Sequence, residues 1–171
     1  MNDMCIAVKE ISHKYPDLSF KNVRFDDCEF ILELKELCLK WYIEIIYGWD
    51  TDIQREKTKH ELEKHKDDMR IIMINNKNVG VTTFYEEDGE YVVGLIMVHP
   101  DCQGLGIGTK IINEYISIAK KTKKIINIKT YKLNPAKKLY ERLGFKIYKE
   151  DDTHVYLKIE FKQIGSDING R

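Results

Sequence analysis

Residues 103–108 read QGLGIG, and this glycine-rich segment lies between two apolar stretches. The stretch before it, EYVVGLIMV, has the composition of a buried strand. After it, Ile107, Ile111, Tyr115 and Ile118 recur at steps of three and four, which is typical of an amphipathic helix. A strand, a glycine loop and a helix in this order favour anion binding, because the loop and the first helical turn offer backbone N–H groups. The sequence therefore predicts a phosphate-binding loop here.

Two common phosphate loops do not fit this segment. A Walker loop needs GxxxxGK[ST], but here Thr109 precedes Lys110. A dinucleotide loop needs GxGxxG, and Thr109 stands where the third glycine would be. That loop also belongs to a parallel βαβ unit, whereas the strand here follows a hairpin signal, Asp88-Gly89. The pattern that remains is Q-x-x-G-x-G.

Two segments together resemble the GNAT superfamily of N-acetyltransferases. VHPDCQGLGIGTKII is similar to the family's pyrophosphate-loop signature, and NPAKKLYERLGF is similar to its second signature. The resemblance implies an α/β fold of the α+β type, with a mainly antiparallel twisted sheet of about six to seven strands flanked by about four helices. It implies one domain over residues 1–171, with 1–22 as an N-terminal extension, 23–161 as the core and 162–171 as a loose tail.

The apolar pattern outside the two signatures places further elements. MCIAV is compatible with a short strand, and a second short strand is expected near NVRF. Positions 31, 34, 38, 41 and 45 form a helical apolar stripe that ends near Gly48 and directs Trp41 toward the core. Turn signals at NNKN and Asp88-Gly89 divide residues 70–98 into three antiparallel strands.

The segment HELEKH, at residues 60–65, is superficially similar to a zinc-protease helix. Its histidines, His60 and His65, are five residues apart, which separates them by about 140° around a helix. They therefore cannot bind one metal ion from one face. We interpret this segment as a charged, solvated helix, and the sequence predicts no metal site.

Charge and composition bound the partners and the compartment. Lys plus Arg and Asp plus Glu number 28 each, so net charge offers no argument for nucleic acid or an anionic membrane as a partner. No signal-like start and no long apolar segment is visible, which predicts a cytoplasmic protein. The cysteines show no CxxC pair and are expected to be free thiols.

The resemblance implies acetyl-coenzyme A as co-substrate, with its diphosphate on the glycine loop. Glycine suits this loop because the absence of a Cβ allows close approach of a diphosphate to the backbone. The residues expected to bind it come from the strand end, the loop and the second signature: Met97, Val98, Gln103, Gly104, Leu105, Gly106, Ile107, Gly108, Thr109, Asn134, Lys137 and Tyr140.

Amine acetylation requires two proton transfers. An alkyl ammonium with a pKa near 10.4 is free base in only about one molecule in 2,500 at pH 7, so a base must remove a proton. The departing thiolate must gain one, and a tyrosine can supply it at a cost of about 2 kcal/mol. The resemblance assigns this acid role to Tyr140.

The sequence leaves open which residue is the general base that deprotonates the amine. Many relatives carry a glutamate in the strand before the loop, but this chain has Gly94 near that place. The candidates are Glu87 and its hairpin neighbours Glu86 and Glu90, His154 on a late strand, or a water chain.

The resemblance places the acceptor pocket at the first helices and late strands, with Tyr47 and Trp49 as its residues. The acceptor is expected to be a small-molecule or peptide amine, attacked directly in a ternary complex. Two other functions stay open: a non-catalytic acyl-coenzyme A sensor, and transfer to protein N-termini or lysines. An edge strand in the C-terminal pair is compatible with a homodimer.

Overall fold

The computed structural model describes residues 3–14 and 17–161. Within these ranges the chain forms five α-helices and seven strands. The helices are α1 (Asp3–Lys14), α2 (Cys28–Tyr47), α3 (Thr51–His65), α4 (Ile107–Thr122) and α5 (Ala136–Arg142). The strands are β1 (Leu18–Asn22), β2 (Met69–Ile74), β3 (Lys77–Glu87), β4 (Glu90–Val98), β5 (Ile126–Tyr131), β6 (Lys146–Glu150) and β7 (His154–Ile159).

The strands form a single sheet in the order β1-β2-β3-β4-β5-β7-β6. All neighbours are antiparallel except β4 and β5, which are parallel. This confirms the predicted mixed fold with a mainly antiparallel sheet of six to seven strands. The expected hairpin at Asp88-Gly89 is present, because both residues have the positive φ that this turn requires.

The N-terminal segment differs from its prediction. The stretch MCIAV is part of helix α1, and not a strand. Met4, Ala7 and Ile11 are buried against the main core, and their spacing of three and four residues is helical. The first strand is Leu18–Asn22, earlier than NVRF, and it pairs with β2. Residues 162–171, predicted as a loose tail, lie outside the described residues.

Helices cover both faces of the sheet. Helices α1 and α4 pack on one face, where Phe84 stacks on Tyr115 with ring centroids 4.2 Å apart. Helices α2 and α3 pack on the other face, around Leu34 and Val81. The prediction that Trp41 faces the core is wrong, since its side chain is 57% exposed. The inward positions of α2 step by four residues toward Ile43, and position 41 lies about half a turn from them.

The central pair of strands opens partway along its length. Strands β4 and β5 pair only where residues 91–93 meet residues 126–128. The register of β3 against β4 shifts immediately afterwards, which makes Gly94 the extra residue of a β-bulge. A bulge bends its strand, so the second half of β4 diverges from β5. The result is a wedge-shaped opening in the middle of the sheet.

Candidate active site

Two adjoining spaces lie beside the second half of β4 and share part of their lining. The first, which we call the loop cleft, has a volume of about 510 Å³ and extends from β4 past the glycine loop to α5. The second, the wedge cavity, has a volume of about 250 Å³ and lies between the diverging strands. Tyr140, Asn134, Met97, Ile96 and Leu39 line both spaces. A molecule long enough to fill the cleft would therefore place one end in the wedge.

The glycine loop has the geometry of an anion cradle. Gly104 and Gly106 have φ values of 76° and 77°, a left-handed conformation that favours glycine. A Cβ added at Gly104, Gly106 or Gly108 would meet no atom within 4 Å, so the loop faces open space. The first helical hydrogen bond of α4 joins Lys110 N–H to the Gly106 carbonyl, and the preceding N–H groups have no acceptor within the helix. An anion at this position would be stabilised by these donors and by the helix dipole.

Gln103 ties the loop to the end of β4. Its Nε2 donates a hydrogen bond of 2.9 Å to the Val98 carbonyl, which also accepts from Cys38 Sγ at 3.5 Å. The N–H of His99 donates to the Val79 carbonyl on β3. Because successive backbone groups alternate in direction, the N–H and C=O groups of Ile96 and Val98 point toward the cleft. Along this edge of β4, the N–H and C=O of Ile96 and the N–H of Val98 can pair with an extended ligand, whereas the Val98 carbonyl is already bonded.

Tyr140 lies at the junction of the cleft and the wedge. Its side chain is buried, and burial raises its pKa to about 12. Asn134, which also lines both spaces, accepts a hydrogen bond of 2.9 Å from Ala136 N–H and so caps α5. The cleft can thus present one protonated, partly desolvated hydroxyl to a bound ligand.

His154 lines the opposite wall of the wedge. Its Nδ1 lies 2.6 Å from Thr153 Oγ1, and its ring is 4.4 Å from the ring of Tyr131. Burial lowers the pKa of His154, with the nearby Lys129 acting in the same direction, so the ring is mainly neutral at pH 7. A neutral imidazole at this position can accept a proton.

Helix α3 contributes two residues that sequence reasoning missed. Glu61 lines the wedge cavity, and both Glu61 and His65 line a neighbouring space of about 130 Å³, the side cavity, beside Gly94. Glu61 and His65 are four residues apart and so lie on one face of the helix. The prediction of a solvated helix considered the two histidines and overlooked this pair.

Other predicted site residues lie elsewhere. Glu87 is exposed at the end of β3 and outside the lining of the three spaces, while Glu86 pairs with Lys124. The Tyr47 hydroxyl lies 3.4 Å from Thr153 Oγ1, and Trp49 Nε1 donates to Thr51 at 3.2 Å. Neither aromatic ring lines the cleft or the wedge.

The lining of the cleft includes a cation and an aromatic residue that the sequence did not predict for this site. Arg142 lines the cleft, whereas Lys137, predicted to bind there, does not. The two residues are five positions apart on α5 and therefore face different directions. From α2, Tyr42 reaches the cleft, and its ring stacks on Tyr131 at 5.8 Å.

The family model of the acetyltransferase (GNAT) domain matches residues 66–147, which include both signatures up to β6. Residues 66–147, slightly less than half of the chain, are thus similar to a GNAT acetyltransferase domain. It is 28% identical over 157 residues to an uncharacterised N-acetyltransferase of Methanocaldococcus jannaschii. The match covers 81% of this chain and 65% of that protein, so the chain spans slightly less than two thirds of the relative's length.

Solved structures share the fold of this chain. A protein from Pyrococcus horikoshii superposes with a TM-score of 0.70 at 18% identity, covering 85% of this chain and 99% of that one. The PaiA N-acetyltransferase of Thermoplasma acidophilum, in complex with coenzyme A, superposes with a TM-score of 0.65 at 14% identity. This match covers 84% of this chain and 99% of that one. Arabidopsis thaliana Naa50, in complex with the bisubstrate analogue CoA-Ac-MVNAL, superposes with a TM-score of 0.61 at 16% identity. This match covers 85% of this chain and 99% of that one.

In the described ranges, no helix is both long and apolar enough to cross a bilayer. Among the same residues, no group of three or more His, Cys, Asp or Glu side chains is placed to hold a metal ion.

Proposed function

We propose that this chain is an acetyl-coenzyme A-dependent N-acetyltransferase, in which an amine attacks the thioester directly in a ternary complex. The observation that carries this proposal is the continuity of the site. The anion cradle at Gly106 opens onto the loop cleft, the cleft leads to Tyr140, and Tyr140 also lines the wedge cavity. A diphosphate at one end and a reacting thioester at the other match this arrangement.

In this proposal, the coenzyme lies along the cleft. Its diphosphate accepts hydrogen bonds from the N–H groups of residues 104–109, next to the cation of Arg142. The amide groups of its pantetheine arm pair with Ile96 and Val98 as an added strand would. The acetyl group then lies where the cleft meets the wedge, and a backbone N–H near Val98 is the donor for the oxyanion of the tetrahedral intermediate.

Tyr140 serves as the acid that protonates the leaving sulfur. Against a thiol pKa near 8.5, the raised pKa of Tyr140, about 12, would make this transfer uphill by about 5 kcal/mol. Burial disfavours a thiolate in the same place, so the true difference in the site is smaller. The high pKa also ensures that Tyr140 keeps its proton at any pH at which the amine reacts.

The acceptor is an amine whose reactive end enters the wedge. A volume of 250 Å³ equals about eight water molecules, which is enough for an amine and the first few atoms beside it. The remainder of the acceptor would lie outside, near Tyr47 and Thr153. This accommodates either a small amine or a peptide end. The cytoplasmic location, the single domain over residues 1–171 and the homodimer remain predictions.

The test is an amine-dependent thiol-release assay. Wild-type protein and acetyl-coenzyme A are incubated with spermidine, tyramine, free amino acids and tetrapeptides with free N-termini, and free thiol is followed. The proposal expects release that depends on one class of amine and saturates with it. Tight coenzyme A binding with no amine-dependent release from any class would instead support the non-catalytic sensor.

A further inference from the structure

The wedge cavity and the side cavity meet at Gly94. Three residues, Glu61, Gly94 and Leu95, line both spaces. Among the described residues that line the two cavities, Glu61 carries the one carboxylate. It is therefore placed between the position that the amine would take and a second, smaller space behind it.

The bulge at Gly94 creates this junction. A Cβ at this position would come within 3.0 Å of Tyr85 Cε1, so a side chain here would compete with the Tyr85 ring. Tyr85 extends from β3 toward α3, where its ring centroid is 4.4 Å from that of His65. Side chains from β3 and α3 therefore line the space beside the bulge.

Glu61 is held in place by a buried cation. Lys35 Nζ lies 2.7 Å from Glu61 Oε2, and the Lys35 side chain is 6% exposed while that of Glu61 is 47% exposed. A buried ammonium requires a partner, so Lys35 fixes the carboxylate at the cavity wall. One carboxylate oxygen faces Lys35, which leaves Oε1 for another donor.

The side cavity has polar walls. Thr83 Oγ1 is buried and has no hydrogen-bond partner among the described residues. Buried hydroxyls are rarely unpaired, and a volume of 130 Å³ equals about four water molecules. Burial lowers the pKa of His65, so this ring is mainly neutral at pH 7. These groups can support a short chain of water that leads away from Glu61.

We propose that Glu61 accepts the proton of the acceptor ammonium and passes it to water in the side cavity. This inference rests on the proposed N-acetyltransferase function and names the base for it, on a helix and not on a strand of the sheet. Lys35 acts as a positioning residue that holds the carboxylate.

The ammonium transfers one proton to Glu61, and the free amine attacks the thioester carbon, forming a C–N bond. As the C–S bond breaks, its electron pair goes to sulfur, which receives the hydroxyl proton of Tyr140. A second proton leaves the nitrogen and returns to Tyr140, and the proton on Glu61 goes to solvent. The products are an amide, a thiol and one released proton.

Several titratable groups surround Glu61 and contribute to any pH profile. They come from α2, α3, β3, β5 and β7: Lys35, His65, Tyr85, Lys129, Tyr131 and His154. His154 is the alternative base. Its Nδ1 already lies against Thr153 Oγ1, so one ring nitrogen remains for the amine. A comparison of variants at both residues therefore decides between them.

The experiment compares Glu61→Gln with Glu63→Gln. Glu63 is exposed two positions away on the same helix, so its substitution removes the same charge without touching either cavity. The kcat/KM for the alkylamine that wild type acetylates fastest, spermidine or tyramine, is measured from pH 7 to pH 10. We expect Glu61→Gln to lose about 100-fold at pH 7 and no more than about threefold near pH 10, where the amine deprotonates unaided. Glu63→Gln should match wild type throughout.

A second variant separates chemistry from folding. Glu61→Gln alone leaves Lys35 buried without its partner, which can destabilise the fold. The double variant Lys35→Met with Glu61→Gln removes both charges and should melt near the wild-type temperature, yet keep the pH-dependent loss.

Three outcomes would overturn the assignment. One is a Glu61→Gln activity within twofold of wild type at pH 7. Another is a loss of the same size at every pH, which would indicate a structural role. The third is a pH-dependent loss in His154→Gln that exceeds that of Glu61→Gln. If wild-type protein acetylates no amine, the proposed N-acetyltransferase function is wrong. That result is distinct from the three outcomes that concern Glu61 alone.

Discussion

Gln103 and Val98 are joined by a hydrogen bond of 2.9 Å between the Gln103 amide nitrogen and the Val98 carbonyl. This contact connects the start of the glycine loop to the strand edge from which the loop departs. The anion cradle and the open edge of β4 are therefore held in a fixed relation. A ligand that uses both must match the distance between them.

Replacing Gln103 with leucine should loosen this relation. A neutral side chain-to-backbone hydrogen bond contributes about 0.5–1.5 kcal/mol, so we expect the KM for acetyl-coenzyme A to rise about two- to tenfold. The KM for the amine should change little, because Gln103 lies in the cleft and not in the wedge. Steady-state kinetics with each substrate varied in turn measures both. An increase confined to the amine KM would contradict this description of the loop.

Gly106→Ala should weaken coenzyme binding more than its backbone strain alone explains. Gly106 has a left-handed φ, and alanine there costs about 1 kcal/mol of stability. Its Cβ would also extend into the space assigned to the diphosphate. Gly89→Ala is the matched control, since Gly89 has φ of 82° and equally open surroundings in the distant hairpin. Thermal unfolding should show a similar loss of stability for both variants. Titration calorimetry should show a lower affinity for coenzyme A in Gly106→Ala only.

Arg142→Ala and Lys137→Ala distinguish the sequence prediction from the structure. Arg142 lines the cleft and Lys137 does not. A partly exposed ion pair with a phosphate contributes about 1 kcal/mol, so Arg142→Ala should raise the Kd of coenzyme A about fivefold. Lys137→Ala should stay within twofold. A larger increase in the Kd of coenzyme A for Lys137→Ala than for Arg142→Ala would indicate that Lys137 binds the coenzyme.

Tyr140→Phe should reduce kcat at least tenfold and leave coenzyme A affinity unchanged, because only the transferable proton is removed. Tyr148→Phe, at an exposed position on β6, is the control and should retain full activity. Single-turnover measurements with saturating acetyl-coenzyme A and amine would isolate the chemical step. Equal rates for wild type and Tyr140→Phe would make Tyr140 a packing residue.

The same tyrosine predicts a loss of stability in alkali. Its pKa is about 12 when folded and about 10 when unfolded, so the folded state binds the proton more tightly. This contribution is fully present below pH 10 and is lost as the pH rises through 12, at a cost of about 2–3 kcal/mol. Urea unfolding between pH 9 and pH 11.5 should therefore show a shallower decline for Tyr140→Phe than for wild type. Parallel declines would mean that the hydroxyl is not buried.

The sequence predicted well where the backbone itself carries the signal. Gly104, Gly106 and the Asp88-Gly89 turn have the positive φ values that their residue types suggest. Apolar runs and turn signals predicted the three strands of residues 70–98, whereas the mainly antiparallel sheet was implied by the resemblance to the GNAT superfamily. These features depend on local geometry, which neighbouring residues determine.

Features that depend on distant packing were predicted less well. The helix Asp3–Lys14 owes its burial to α4 and β3, far along the chain, so MCIAV alone could not reveal it. Lys35 and Glu61 are 26 residues apart in the sequence, and their roles depend on the contact between the two helices that carry them. Arg142 and Lys137 differ only in the direction they face on a helix of seven residues.

The direct measurement is the mass spectrum of an amine incubated with wild-type protein and acetyl-coenzyme A. We expect one class of amine to gain the mass of a single acetyl group on nitrogen, with one free coenzyme A released for each product molecule. Thiol release without an acetylated amine, or binding of the coenzyme without turnover, would contradict acetyl transfer through the wedge.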